Sequence, residues 1–591
     1  MAQKRNSYLV SKALKTFMFA SVLASLAQRL ATMTDAVVVS NLIGPDGISA
    51  INVVTPIITL FPTISILFGI GGSILAAKAI GRRDASAANS VFTMALMASF
   101  VSGLLLTVIL FLLTPEIVAL VCPRDSRFFD LAVSFMHVMS LSAVPTIMGF
   151  TLQTFVKTDG NPRLVMVTVM SGTLLNLILD VVFIKYLDMG IAGSAWGTII
   201  CFVFSMSVCL FHFRGSHSTF RLSLSPLTSR PLSLAPRSLL LSIVREGFPM
   251  SINTLLMGVC IFGFNSIVIH TLGADGMYVW SVCLQLLMLI QLMLGGVSSS
   301  IYSVGGLLVG ERDMTGLTIL FRRVLVYVGI PLLGLLVMVV LWPQLFGSLF
   351  GGGDSGVADL LHMALRIFAL LLLPYAFLAV VSALYQLLGY RILSVVISLG
   401  QLVAMLFAVW LFSHVSPALL WWGFPASSVV LAVSVLLFTW AKHLRQPTIA
   451  AVTLIPRQSE GESLNISIRL TGSDVESALS RIAAFLEGSH IPQSTAHSVS
   501  LCCEELLYNI VKYAFKRRPD RHCVDVHIRC EQTAVSVLLK DDGRPFNPTL
   551  KQPDQGTDHL GLLLVNGSAQ NMTYQYMYDQ NIVYMTFDNH H

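Results

Sequence analysis

The sequence predicts an all-α polytopic membrane domain of twelve transmembrane helices, built as two six-helix lobes in parallel repeat, followed by a C-terminal α+β sandwich. Three observations carry this prediction. Of the 591 residues, 55% are hydrophobic and 12% are charged, which is about half the charge of an ordinary soluble protein. Apolar runs fill the chain up to about residue 440 and recur at a fixed offset. After about residue 455 the composition becomes that of a soluble domain.

Twelve apolar runs are long enough to cross a bilayer as helices, which takes roughly 20 residues each. They lie near residues 14–41, 50–78, 89–113, 130–156, 164–186, 190–213, 247–271, 277–308, 322–342, 362–388, 392–413 and 418–441. The first run follows basic residues such as Lys12 and Lys15 and lacks a clear small-residue cleavage site. We therefore interpret it as the first span and not as a removed signal peptide.

Basic residues orient these spans. An even number of spans places both termini on the same side of the membrane. Lys and Arg are concentrated in alternate loops, at Lys78, Arg82, Arg83, Lys157, Arg163, Arg214, Arg221, Arg230, Arg237, Arg245, Arg312, Arg322, Arg323, Arg391, Lys442 and Arg445. The opposite loops hold little beyond Arg124, Arg127 and Lys185. Positive charge stays in the cytoplasm, so we expect both termini to be cytoplasmic.

The two halves of the membrane domain repeat each other in one gap-free register. NLIGPDGISA at 41–50 corresponds to HTLGADGMYV at 270–279, and IGRRD at 80–84 corresponds to VGERD at 309–313, both with an offset of 229. The nine identities are Gly44/Gly273, Asp46/Asp275, Gly47/Gly276, Gly81/Gly310, Arg83/Arg312, Asp84/Asp313, Asp130/Asp359, Pro145/Pro374 and Gly160/Gly389. Such turn formers and mid-span prolines fix helix ends and kinks. Two parallel lobes are typical of a secondary transporter with alternating access.

These patterns set the expected domain boundaries. We predict an N-lobe at 1–213, a Ser-, Pro- and Arg-rich cytoplasmic loop at 214–246 and a C-lobe at 247–441. A linker at 442–462 then leads to the soluble domain at 463–591.

Four polar residues interrupt the apolar spans of the N-lobe. Asp35 lies in span 1, Asn176 and Asp180 lie one turn apart in span 5, and Thr198 lies early in span 6. The topology places all four within about 12 Å of the outer boundary at ~1.5 Å per residue, so they could share a site. Two carboxylates, an amide and a hydroxyl could bind a hard cation or hold an exchangeable proton. The alternative is a structural role as helix caps or snorkelling ends.

The C-lobe has no such set of polar residues. The offset of 229 relates Asp35, Asn176 and Asp180 to Phe264, Met405 and Val409. The acids are therefore not part of the duplicated scaffold, which favours a functional role.

The segment FVKTDGNPRLVMVTVMSGTLLNLILDVVFIKYLDMGIAGSAWGTII at 155–200 resembles the MATE (multidrug and toxic compound extrusion) family, as do TDAVVVSNLIG and GSILAAKAIGRRD. The resemblance covers roughly 10–445. It implies a twelve-helix, two-lobe exporter of a bacterial plasma (inner) membrane that exchanges Na⁺ or H⁺ for small organic, often cationic compounds. The family's cation-coupling residues map onto Asp35, Asn176, Asp180 and Thr198. The acids that some members carry in spans 7 and 10 have no equivalent in the interior of these spans.

The soluble domain alternates between strand and helix patterns. Strands are predicted at 463–470, 525–532, 533–543 and 572–588, and helices at 473–490 and 498–515. This pattern predicts an α+β sandwich with helices on one face of a sheet.

Three short motifs of this domain indicate a nucleotide site. In CCEELLYNIVKYAF, Glu505, Asn509 and Tyr513 are four residues apart and share one helix face. Asp541 ends an inward-facing apolar row in the strand AVSVLLKDDG, where an adenine amino group would be a fitting buried partner. Gly543 would let a ring approach closely, and Gly561 precedes a possible helix N-terminus for phosphate.

In this order, the motifs E-x-x-x-N, D-x-G followed by PFNP, and LGLLLV resemble the GHKL ATP-binding fold, most closely its anti-sigma-factor serine-kinase branch. The resemblance covers about 463–591 and implies Mg-ATP as cofactor. By this resemblance Asn509 would hold Mg²⁺, Glu505 would be the general base for an attacking hydroxyl, and Asp541 would bind adenine, beside Gly543 and Gly561.

Two departures from that family pattern concern the phosphate lid. His559 stands where the family has a glycine. The lid between Thr549 and Asp558 is short and has Lys551 as its basic residue.

Together these features predict a cation-coupled exporter with a cytoplasmic, ATP-binding, serine-kinase-like regulatory domain. Its expected partners are a small organic substrate, the lipid bilayer and a serine-bearing regulatory protein, and not a nucleic acid. Whether the tail is an enzyme stays open, because a degenerate docking domain would keep the same fold. The main alternative is a receptor that binds its ligand without transport and signals through the tail. An ATP-driven pump is disfavoured, since the chain has no P-loop G-x-x-x-x-G-K-[ST].

Overall fold

The computed structural model describes residues 7–215, 218–222, 236–345, 357–456, 463–469, 472–489, 491–515, 522–550 and 560–589. These residues form two compact units. One unit combines the chain up to Thr16 with the chain from Pro456 onward, and the other runs from Phe17 to Ile455. The lid residues Lys551, Asp558 and His559 lie outside the described residues, as do residues 216–217 and 223–235 of the predicted loop at 214–246.

The unit from Phe17 to Ile455 is built from helices. They are α1 (Tyr8–Leu42, which begins in the other unit), α2 (Pro45–Ile58), α3 (Leu60–Gly81), α4 (Ala85–Leu112), α5 (Thr114–Val121), α6 (Phe129–Ser140), α7 (Ala143–Thr158), α8 (Pro162–Val181), α9 (Gly190–His212), α10 (Pro236–Ser300), α11 (Gly306–Gly310), α12 (Met314–Leu341), α13 (Ala358–Ala369), α14 (Leu372–Leu387), α15 (Arg391–Val415) and α16 (Gly423–Arg445). Short π turns follow α8 at Val182–Tyr186 and join α10 to α11 at Ile301–Gly305.

The lengths of these helices agree with the predicted spans. The described ranges contain 10 helices long and apolar enough to cross a membrane, or 11 if α6 and α7, which meet at 53°, form one bent span. One of them, Arg237–Gly310, has 74 residues. At ~1.5 Å per residue this is enough helix for two crossings of a ~30 Å hydrocarbon core. Gly273 breaks it with φ 65° and ψ −153°, so counting it as two spans gives the predicted twelve.

The two halves have the same backbone conformation at their repeated turns. Gly44 and Gly273 have φ 99° and 65°, and Gly160 and Gly389 have φ 89° and 90°. These are left-handed values that glycine adopts without steric strain. The register of 229 therefore matches turn geometry as well as residue identity.

An aspartate begins the same helix in each half. Asp84 accepts a hydrogen bond from the Ala87 backbone N–H at 2.9 Å and caps α4. Its counterpart Asp313 accepts one from the Gly316 N–H at 2.8 Å and caps α12. Both caps satisfy a backbone donor that the first turn of a helix leaves unpaired.

Helix α3 of the first half touches α10 and α11 of the second half backbone to backbone, through glycines. A Cβ placed on Gly71 would lie 2.1 Å from the Ile243 carbonyl oxygen, and one on Gly247 would lie 1.9 Å from the Leu67 oxygen. Further along α3, a Cβ on Gly81 would lie 2.3 Å from the Leu307 oxygen. We call these contacts the glycine seam. At these positions no larger residue fits without moving a helix.

Ion pairs close the same seam at one end. Arg83 Nη2 lies 3.3 Å from Glu311 Oε1, and both side chains are almost fully buried. Glu246, also buried, lies 2.7 Å from Arg391 Nη2 and 3.9 Å from Lys78 Nζ. Buried charges are tolerated when they are paired in this way.

The C-terminal unit contains a five-stranded antiparallel sheet in the order β1-β2-β3-β5-β4. Its strands are β1 (Ser463–Arg469), β2 (Cys523–Cys530), β3 (Ala534–Asp541), β4 (Asn571–Met577) and β5 (Gln580–Asp588), and its helices are α17 (Gly472–Gly488), α18 (Gln493–Asn509) and α19 (Leu560–Ser568). Apolar residues of sheet and helices form one core, including Ile466, Val475, Ile482, Val499, Leu507, Val526, Val537 and Met585.

Two local differences from the predicted elements matter for the site. Helix α18 begins at Gln493, directly after Pro492, and its α-helical part ends at Asn509, where a π turn continues to Ala514. The final strand pattern folds as the hairpin β4–β5. Its turn residues Tyr578 and Asp579 have φ 55° and 59°, as a type I′ turn requires.

Substituting Gly247 by valine should weaken the glycine seam. The new side chain would clash with the Leu67 carbonyl, and overpacking of this kind costs at least about 1–3 kcal/mol. We expect a lower midpoint of thermal unfolding for the purified full chain in detergent.

Gly334→Val is the matched control, since a Cβ on Gly334 of α12 meets nothing within 4 Å among the described residues. Equal midpoints for the two variants would contradict a seam held by glycine.

Candidate functional site

The predicted membrane cluster is assembled by helices α1 and α8. Asp180 is fully buried and Asp35 is half-buried. The two carboxyl groups are neighbours, close enough for one to hydrogen-bond the other. Asn176, one turn before Asp180, donates from Nδ2 to Asp180 Oδ1 at 3.4 Å. The structure therefore brings three of the four predicted residues into direct contact.

Helix α9 closes the cluster through a glycine that the sequence analysis missed. A Cβ on Gly197 would lie 2.4 Å from Asp180 Oδ1, so this position has no room for a side chain. The predicted residue Thr198 follows directly and is half-buried. Cys201, one turn beyond Gly197, is also near both acids. The glycine was visible in GSAWGTII, but only the packing of α8 against α9 reveals its role.

Two carboxyl oxygens of the cluster lack donors. Asp35 Oδ1 and Asp180 Oδ2 are buried and have no hydrogen-bond partner among the described residues. Buried polar atoms are normally paired, and adjacent carboxylates repel each other. A bound cation or a shared proton would satisfy both oxygens and remove the repulsion. The oxygen-only donor set suits a hard ion.

The corresponding region of the other half is filled with apolar side chains. Phe264, the counterpart of Asp35, is fully buried, with its ring centroid 5.4 Å from that of Trp280 and 5.2 Å from that of Phe424. Met405 and Val409, the counterparts of Asn176 and Asp180, are fully buried as well. Packing has taken the place of the polar cluster in this half.

In the C-terminal domain, Glu505 and Asn509 face each other across one turn of α18. Asn509 Nδ2 donates to Glu505 Oε1 at 2.9 Å, which leaves the amide oxygen of Asn509 as a possible metal ligand. A Cβ on Gly561 would lie 1.9 Å from Glu505 Oε1, so the glycine lets the start of α19 approach the carboxylate. Tyr513, the third residue of the predicted stripe, lies in the π turn that follows α18 and is 52% exposed.

Asp541 is buried at the end of β3, as predicted from the strand pattern. Its Oδ1 accepts hydrogen bonds from the Gly543 N–H and from Asn581 Nδ2, both at 2.8 Å. Both bonds go to Oδ1, and within the described ranges Oδ2 has no partner, so it can accept from a ligand. Burial raises the pKa of Asp541 above its ordinary value, although these two hydrogen bonds favour the charged form.

Asn581 is a site residue that the sequence did not reveal. Besides Asp541, its Nδ2 donates to the Arg544 carbonyl at 2.9 Å, and its Oδ1 accepts from Tyr574 Oη at 2.8 Å. Asn581 lies on β5, which pairs with β3 in the sheet. It belongs to no motif, so only strand pairing could place it beside Asp541.

The loop after Asp541 also contacts the π turn that follows α18. The Arg544 N–H donates to the Ala514 carbonyl at 3.2 Å, and a Cβ on Gly543 would lie 2.6 Å from Ala514 Cβ. The glycine therefore permits the close approach of the two motifs. The residues present fit a nucleotide: a carboxylate oxygen for adenine, an amide oxygen for Mg²⁺ and a carboxylate beside it.

Two family models match this chain. The model described as MatE matches residues 20–182 and again 249–411, so the second match begins and ends 229 residues after the first, the offset of the internal repeat. The model described as histidine kinase-like ATPase domain matches residues 468–587. The sequence-based resemblance to both families is confirmed.

Related proteins agree with the first match. The chain is 28% identical over 212 residues to the multidrug export protein MepA of Staphylococcus saprophyticus, which covers 36% of this chain and 46% of that protein. It is 25% identical over 254 residues to MepA of Staphylococcus haemolyticus, which covers 43% of this chain and 54% of that protein. The chain thus spans about half the length of the curated relatives it matches.

Solved structures show the fold of the membrane domain. An outward-facing multidrug resistance MATE family transporter superposes with a TM-score of 0.66 at 22% identity, over 73% of this chain and 96% of that one. A MOP superfamily transporter from Pyrococcus furiosus superposes with a TM-score of 0.66 at 23% identity, over 72% of this chain and 94% of that one. The predicted MATE-like architecture is confirmed.

Protonation of Asp541 should stabilise the C-terminal domain. Because burial raises the pKa of Asp541 in the folded state, the folded domain binds the proton more readily than the unfolded chain does. Stability should rise as the pH falls toward this raised pKa, and the gain should be complete below the ordinary carboxyl pKa of about 4. Hydrogen exchange of the β3 and β5 amides in the full chain, measured from about pH 7 down to about pH 4 and corrected for intrinsic rates, checks this.

Asp541→Asn is the matched variant, because its amide oxygen can replace Oδ1 while the charge is lost. Its exchange should show no such pH dependence. A dependence that survives in the variant would assign the effect to another group.

Proposed function

We propose that this chain, which belongs to the MatE family and carries a histidine kinase-like ATPase domain, exports small organic compounds in exchange for Na⁺ or H⁺. The names of its relatives, multidrug export proteins, support the substrate class. The observation that carries the proposal is the pair Asp35–Asp180, in which one buried oxygen of each carboxyl group has no partner in the part of the chain that the structure describes. Such a pair holds an exchangeable cation or proton better than it holds a fixed structure.

The physical basis of coupling is the repulsion between the two carboxylates. With a cation or proton bound, α1 and α8 can pack closely around the neutralised pair. Without it, the two charges repel and favour a different spacing of the helices. A ligand that binds one arrangement better shifts the equilibrium between them. Asn176 and the close approach of Gly197 keep Asp180 aimed at Asp35 in the occupied state.

Asp35→Asn and Asp180→Asn should each abolish coupled transport. Removing one carboxylate removes the repulsion between the pair, so binding or release of the ion no longer changes the preferred arrangement of the helices. We expect a loss of about tenfold or more in the rate at which proteoliposomes with an imposed Na⁺ or H⁺ gradient move a fluorescent organic cation.

The control is Asp46→Asn. Asp46 lies on α2, outside the cluster, and forms an exposed ion pair with Arg127. Full activity in both cluster variants would refute the coupling role. Ligand binding without any flux in the unaltered protein would favour the receptor alternative.

For the C-terminal domain we propose binding of Mg-ATP and phosphate transfer to a serine of a regulatory protein. Support comes from the fit of three groups: Asp541 Oδ2 is left to accept from an adenine amino group, the amide oxygen of Asn509 is left to hold Mg²⁺, and Glu505 lies beside it. When bound, Mg-ATP supplies the phosphoryl group. Glu505 would take the proton from the attacking hydroxyl, since a carboxylate one turn from a metal ligand can reach that position.

Asp541→Asn should weaken nucleotide binding while the domain stays folded. The variant can keep both hydrogen bonds at the Oδ1 position, but it presents an NH₂ group to the amino group of adenine. Two hydrogen-bond donors that face each other without an acceptor cost about 1–3 kcal/mol of binding free energy. The affinity of the full chain for Mg-ATP should therefore fall roughly tenfold to a hundredfold. Calorimetric titration in detergent measures this affinity. Asn509→Ala should also weaken binding.

Glu505→Gln separates binding from transfer, because it should retain the nucleotide and lose phosphate transfer by about 10²-fold or more. Glu504→Gln, an exposed neighbour on the same helix, is the control and should change neither. If the unaltered full chain shows no saturable binding, the domain is a docking module and the kinase proposal is wrong.

A further inference from the structure

Residues 7–16 pack with the C-terminal domain. The compact unit that holds the sheet also contains the chain up to Thr16. Lys12 Nζ lies 2.6 Å from Asp542 Oδ2, and Tyr8 Oη donates to the same oxygen at 3.0 Å. These contacts join residues more than five hundred positions apart, and Asp542 is the central residue of the D-x-G motif.

Asp542 is held by three partners. Its side chain is fully buried, while that of Lys12 remains 33% exposed. His522 Nδ1 lies 3.0 Å from Asp542 Oδ2, and the His522 ring stacks on Phe515 with centroids 4.2 Å apart. Burial alone would raise the pKa of Asp542, but the hydrogen bonds from Lys12 and His522 outweigh it and lower the pKa. The contacts with Lys12 and His522 therefore favour the charged form of Asp542.

A second anchor lies on the neighbouring strand. Gln580 Nε2 donates to the Leu9 carbonyl oxygen at 2.8 Å, and both groups are buried. Gln580 directly precedes Asn581, just as Asp542 directly follows Asp541. Since Asp541 and Asn581 are hydrogen-bonded to each other, the N-terminal segment is attached on both sides of the pair that would hold adenine.

We infer that the segment from Tyr8 to Lys12 is a nucleotide-sensitive anchor, which links occupancy of the D-x-G loop to helix α1. The inference rests on the proposed nucleotide binding. Adenine bound at Asp541 and Gly543 fixes the backbone on both sides of Asp542 and so holds its carboxylate toward Lys12. The segment lies at the start of α1, and the same helix continues to Asp35 of the cation cluster.

Coupling of this kind is reciprocal. If nucleotide stabilises the Lys12–Asp542 contact, that contact must raise nucleotide affinity by the same factor. Breaking it leaves a buried carboxylate with one partner fewer, which loosens the loop that binds adenine. The segment is thus a positioning element for the nucleotide loop and not part of its chemistry.

The test uses the full chain in nanodiscs. Mg-ATP should slow hydrogen exchange in the peptide that contains Tyr8 to Lys12. Lys12→Gln should lower Mg-ATP affinity about fivefold or more and abolish this protection. Even without nucleotide, it should speed exchange in the loop from Asp541 to Gly543. Lys12→Arg, which keeps the charge, should restore both properties, and Lys15→Gln, an exposed lysine of the same helix, should behave like the unaltered chain.

The outcomes separate the two proposals. If the unaltered chain binds Mg-ATP and Lys12→Gln binds it equally well, with unchanged exchange in both segments, the anchor is refuted and nucleotide binding stands. If the unaltered chain binds no Mg-ATP, the proposed nucleotide site fails and the nucleotide-sensitive anchor fails with it.

Discussion

Close contact between glycine backbones is the constraint on which the membrane domain depends. In a bilayer, apolar side chains gain little by leaving lipid for protein, so helices associate through tight van der Waals packing at small residues. The glycine seam provides this packing between α3 and the helices α10 and α11 of the other half. The ion pair Arg83–Glu311 lies at the same boundary and is satisfied within it. The contacts of the glycine seam are made by α3, α10 and α11, so they do not involve the acids on α1 and α8.

The two halves share a scaffold but not a chemistry. Their turns have matching left-handed glycines, and their aspartate caps lie at corresponding positions of the repeat. The interiors of the two halves differ in what holds them together. A buried charged group requires a partner, whereas an aromatic ring is stabilised by close packing alone. Phe264 stands at the position that corresponds to Asp35 of the first half, and it packs against Trp280 and Phe424. The two halves therefore share a frame, while the pair of acids Asp35 and Asp180 lies in the first half.

The sequence predicts local features well and tertiary contacts poorly. Span number, the repeat and the pairing of Asp35 with Asp180 follow from hydropathy, offset and membrane depth, which are properties of the linear chain. Asn581 beside Asp541 depends on strand pairing, and Gly197 beside Asp180 depends on how two helices pack. The π turn that follows Asn509 has no signal in the local sequence pattern. No periodicity could have joined Lys12 to Asp542.

The Lys12–Asp542 contact also has a consequence for how the protein is made. Its two residues are 530 positions apart in the chain. At roughly 5–20 residues per second, the ribosome adds Lys12 about half a minute to two minutes before it adds Asp542. The first membrane segment must be inserted long before its leading turn meets a partner. The contact therefore forms only after residue 542 has been synthesised, and a product truncated before this residue lacks the carboxylate that pairs with Lys12.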